Sequence, residues 1–75
     1  MELTGTDFDI LSAIADGRVE PGTSVHHFVD YCDNAIGGNP QPLIDAGYIE
    51  ATEFAVTGLT ELGKKALADH RAAQQ

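Results

Sequence analysis

A chain of 75 residues, 43% of them hydrophobic, suffices for one small domain; at this size only about 60% of the unfolded surface is buried on folding, which excludes a cleft between two domains. Twelve carboxylates against four Lys and Arg give a formal charge of -8, a balance that repels phosphate, since Lys and Arg supply most non-specific affinity for nucleic acid. The single cysteine, Cys32, excludes an intramolecular disulfide or a multi-cysteine zinc site, and the absence of a leader-like stretch or of ~18 successive apolar residues predicts a soluble cytoplasmic protein.

In chain order, Thr6 is placed to cap a first helix over about residues 7 to 16, with Asp7 and Asp9 in its first turn, where carboxylates favour the positive end of the helix dipole. Phe8, Leu11, Ile14 and Ala15 share one face of that helix, and Gly17 stops it. Pro21-Gly22 marks a turn. Ser24 is a second cap, and Val25, Phe28, Val29, Cys32 and Ile36 recur at helical spacing until Gly37-Gly38, which predicts a second helix over about 24 to 36.

The stretch Gly37 to Glu50, GGNPQPLIDAGYIE, holds two prolines. Pro42 disfavours helical geometry at Gln41, so a short third helix is expected to start near Pro42 and to end at Gly47. Tyr48 to Thr52 and Val56 to Leu59 are expected to pair as a hairpin through Glu53, Phe54 and Ala55. Thr60 then caps a closing helix that holds Leu62, Ala66 and Leu67 and frays over residues 71 to 75. The expected fold class is α+β, mainly helical, in a single domain over residues 1 to 75.

Chemical candidates are few. His26 and Asp30 stand at i, i+4 with His27 beside them, a spacing that can hold a metal ion, but no third ligand is offered and the pair reads as a solvated helix surface. A core-facing Cys32 reads as inert packing, without a base to activate it. Gly37-Gly38 follows a helix, whereas phosphate-binding loops follow a strand and open a helix with a Lys. No enzyme, no metal and no cofactor are expected.

Two stretches carry a family resemblance: Leu43-Ile44-Asp45-Ala46-Gly47-Tyr48-Ile49-Glu50, and Gly58-Leu59-Thr60-Glu61-Leu62-Gly63-Lys64-Lys65-Ala66-Leu67. In these stretches, in the length between them and in the opening Thr6 to Gly17, the chain resembles the winged helix-turn-helix transcription regulators, and in particular the small repressor-like winged-helix proteins of haloarchaea and their viruses. The resemblance implies three helices, a two-stranded β-hairpin wing and a C-terminal helix. It also implies double-stranded DNA as partner, with the third helix in the major groove. The Leu-Thr-x-x-Gly junction has a physical basis, because the threonine caps the helix and Gly63 lets a neighbouring element pack closely.

The reading surface departs from that pattern. Between Thr23 and Gly63 there is no Lys or Arg, and the wing carries Glu53 and Phe54 where a basic tip usually meets DNA. Candidate nucleic-acid contacts reduce to Asn39 and Gln41 at the third helix and Lys64 and Lys65 on the last. Two function classes follow. One is a transcription regulator, able to dimerise, whose acidity is an adaptation to molar salt, as a haloarchaeal origin would entail; an actinobacterial or phage origin fits the composition as well. The other is an interaction module that has lost DNA reading and meets a protein partner through Phe54.

Overall fold

The structure, a computed structural model, describes residues 2–74. Helix α1 spans Gly5–Ala15, α2 Val25–Tyr31 with a π-helical continuation over Cys32–Ile36, and α3 Gln41–Asp45. Strands β1 (Ile49–Ala51) and β2 (Val56–Leu59) form an antiparallel hairpin, and α4 runs over Glu61–Ala73. The chain is thus α+β and mainly helical, with helices α1 to α4 around one two-stranded sheet.

Helix α1 starts two residues before the expected position. Thr4, not Thr6, is its cap: the Thr4 hydroxyl accepts from the Asp7 amide at 3.2 Å and the Asp7 carboxylate accepts from the Thr4 amide at 2.9 Å, a reciprocal capping box. Ile10, Leu11 and Ala13 are fully buried, with Phe8 and Ile14 packed against them. Ala15, expected on the buried face, is exposed.

Ser24 caps α2 as expected, accepting from the His27 amide at 3.2 Å. Phe28 and Cys32 are fully buried, but the last turn is not α-helical. It widens into a π turn in which the Cys32 carbonyl accepts from Gly37 at 2.7 Å and from Gly38 at 3.1 Å. Gly37 ends it with φ 87°, a left-handed conformation open to glycine at little cost.

Helix α3 begins at Gln41, beside Pro42 as expected, with Pro40 in the cap position. Pro42 stands in the first turn, where no intrahelical partner awaits its missing N–H. Leu43 is fully buried beneath it.

Strand β1 is one residue shorter at each end than expected, Ile49–Ala51 in place of Tyr48 to Thr52, while Val56–Leu59 stands where predicted. Register shifts between Glu50, which faces Gly58, and Ala51, which faces Val56, so Thr57 is the extra residue of a bulge. The segment before α2 pairs with the far side of the hairpin: Val56 donates to the Thr23 carbonyl at 2.8 Å, Gly22 to Val56 at 2.8 Å and Val25 to Phe54 at 2.9 Å. Ile49 and Val56 carry the hairpin's apolar side into the core.

Thr60 caps α4, accepting from Gly63 at 3.0 Å and donating to the Gly47 carbonyl at 2.6 Å. Gly63 lies against the Tyr48 backbone so closely that a Cβ there would collide with the Tyr48 carbonyl oxygen, which is the close approach expected of this glycine. Leu62 is 49% exposed, and the helix runs through Ala73, within the residues 71 to 75 at which fraying is expected; Gln75 lies outside the described residues. A seam with α1 orders that last turn: the His70 ring stacks on Phe8 with centroids 3.8 Å apart, and Arg71 donates to Asp16 at 3.0 Å. Among the described residues no helix is long and apolar enough to cross a membrane.

Candidate interaction site at the hairpin tip

The residues expected to touch nucleic acid do not converge. Asn39 and Gln41 stand at the start of α3, and both are occupied locally. The Asn39 side-chain oxygen accepts from the Gln41 amide at 3.0 Å, a turn that helps to start the helix. Gln41 in turn donates its side-chain amide to Asp45 at 2.9 Å, one turn on. A base-reading pair would have to give up these partners, and the carboxylate of Asp45 is the charge nearest to hand on the same short helix.

Lys64 and Lys65 lie on α4, both exposed. Lys64 faces Glu61 at 3.6 Å, and Arg71 is taken up by Asp16. Of the four cations, Arg18 and Lys65 alone are without an ion pair among the described residues. They stand on a surface of net charge -8, so the electrostatic footprint of a phosphate-binding face is not assembled.

The remaining candidate, Phe54, is a different case. Its side chain is 78% exposed, the most exposed large apolar side chain described. Its backbone is not loose. The turn is held from within by Thr52, whose hydroxyl accepts from the Phe54 amide at 3.2 Å and from the Ala55 amide at 3.1 Å, and whose own amide donates to the Ala55 carbonyl at 2.8 Å. It is held from outside by Val25, which donates to the Phe54 carbonyl at 2.9 Å, and by the bridge between Ser24 and Ala55. Glu53, exposed, precedes the ring in the same turn. An aromatic ring is thereby presented to solvent on backbone fixed by both neighbours. The Thr52 latch was legible as a Thr two residues before Phe54, since hydroxyls in turns bond the amides that follow. The role of the Thr23 to Val25 segment was not, because its partner lies some thirty positions further along the chain.

The other candidates do not assemble. His26 Nε2 and Asp30 Oδ2 stand 3.5 Å apart on the solvent side of α2, and among the described residues no group of three or more His, Cys, Asp or Glu is close enough to share a metal ion. Cys32 is fully buried, and burial pushes its thiol up from 9.0 to about 11, the reverse of what an activated nucleophile needs. No pocket opens among the described residues.

No protein-family model, curated protein or solved structure matches the chain. The functional reading therefore rests on the molecule's own surface.

Proposed function

We propose that the chain is a winged-helix-type domain, of the architecture used by transcription regulators, that acts as a protein-docking module with the hairpin tip as its contact element. The observation that carries this reading is Phe54, 78% exposed on a turn whose backbone is fixed from both sides. A large rigid side chain held ready in this way loses little freedom on binding, and aromatic anchors of this kind dominate protein interfaces. The order helix, helix, short helix, hairpin, helix supports the winged-helix assignment. The commitment of Asn39 and Gln41 to partners within their own stretch speaks against base reading by α3.

DNA association is the second reading, favoured by that same element order and by Arg18 and Lys65, which are left without ion pairs. Titration with duplex DNA fragments at several KCl concentrations decides between the two. The docking reading expects no DNA binding at any salt, and a bound polypeptide that wild type retains and Phe54→Ala loses. DNA binding with a shallow log-log salt slope, of about two or three phosphates, abolished by Lys64→Glu with Lys65→Glu, would overturn it in favour of a regulator.

A further inference from the structure

We infer that the occupant of the hairpin tip is an arginine-bearing segment of a basic polypeptide, its guanidinium lying over the Phe54 ring with Glu53 as counter-charge. This inference rests on the docking reading and names the chemistry of the partner.

Charge decides among the occupants an exposed aromatic could take. A second copy of the chain would bring another net charge of -8 against the first, and nucleic acid would bring phosphate, so both meet a repelling surface. A cationic partner is drawn in. The acidic groups around the tip are available to it: among the described residues, the ion pairs involve only Asp16, Asp30 and Glu61 on the acidic side. Glu53 is therefore without a cation, and Glu50, one strand position before the bulge, is held only by the Thr57 hydroxyl at 2.8 Å.

The ring then distinguishes arginine from positive charge in general. A guanidinium is planar, weakly hydrated and stacks on aromatic faces, while its fork of donors fits a carboxylate; an ammonium does neither as well. Leu62, the other exposed large apolar side chain among the described residues, stands in the first turn of α4 beyond the far end of β2. The tip therefore offers one ring and not a broad apolar patch, which suits a single side chain better than an apolar helix face.

The test uses synthetic octa-arginine and octa-lysine peptides, with a neutral Gly-Ser peptide as control, titrated into the whole chain by calorimetry and by amide-resonance mapping. Octa-arginine is expected to bind more tightly than octa-lysine, with the largest resonance shifts at Thr52 to Ala55. Phe54→Ala is expected to weaken octa-arginine by about threefold to fivefold. Phe54→Leu, which keeps the apolar bulk and removes the ring, is expected to weaken it as much, and Glu53→Gln by about twofold. Equal affinity for both peptides, or shifts spread over the whole acidic surface and unmoved by Phe54→Leu, would overturn the inference. In that event a captured polypeptide still lost by Phe54→Ala would leave the docking reading standing; indifference of every polypeptide contact to Phe54→Ala would remove both.

Discussion

The two ends of the hairpin are built to opposite purposes. At its base, Tyr48 and Gly63 are in backbone contact, and the Thr60 hydroxyl ties Gly47 to the first turn of α4. At its tip, four residues turn back with one of the largest side chains in the chain pointing away from everything. Both ends are well supplied with hydrogen bonds, so the difference is not one of order. The base uses its hydrogen bonds to bring elements together, and the tip uses them to hold one ring apart. Exposure on fixed backbone, more than exposure alone, separates a contact element from a loose loop.

The contrast can be broken by mutation, starting from the interior on which the base rests. Phe28→Ala is expected to cost about 3 to 5 kcal/mol in denaturant unfolding, since a fully buried aromatic is removed from the core; a loss near 1 kcal/mol would show that the core does not close around it. Gly63→Ala is expected to cost about 3 kcal/mol, because the added methyl meets a backbone carbonyl that cannot rotate aside. A near-neutral effect there would mean that the base slides freely and that the two ends are alike. Alkaline pH sharpens the same side of the comparison. Burial raises the Cys32 thiol above its unfolded value, so its contribution to stability is complete below 9.0 and is lost as pH rises through about 11. The expected loss is on the order of 3 kcal/mol at ~1.4 kcal/mol per pKa unit, and a Cys32→Ala protein should lack that part of the slope. Thr60→Ala is expected to cost about 1 to 2 kcal/mol, the sum of a lost cap and a lost bond to Gly47. Phe54→Ala should change stability by less than about 0.5 kcal/mol in the same assay; a larger loss would show that the ring packs at home and is not held out for a partner.

Much of this arrangement was legible from short-range pattern. Ser24 and Thr60 were readable as caps, Cys32 and Phe28 as core, Gly63 as a point of close approach and Phe54 as an exposed turn residue. The first helix shows where local pattern runs out. Thr4 with Asp7 and Thr6 with Asp9 satisfy the same capping spacing, and only the packing of Ile10, Leu11 and Ala13 against the rest of the fold selects the first. The exposure of Leu62 was not legible for a related reason: its spacing to Ala66 suits a buried stripe, but the approach of Gly63 to Tyr48 sets the rotation of α4 and turns Leu62 outward. The continuation of α4 to Ala73 depends on Phe8 and Asp16, residues that no window on the closing helix contains. At the candidate site the residue types were visible and their engagements were not, since nothing in a one-dimensional reading says that Gln41 spends its amide on Asp45.

The seam between α1 and α4 also bears on how the molecule comes into being. Arg71 and Asp16 are 55 positions apart, so the Phe8 ring has no His70 to cover it until nearly all of the described chain has been synthesised. The entropy of closing so long a loop grows only with the logarithm of its length, but it must be met before the contacts that reward it exist. A nascent chain stalled anywhere before residue 70 therefore has a Phe8 ring without the partner that covers it in the folded chain.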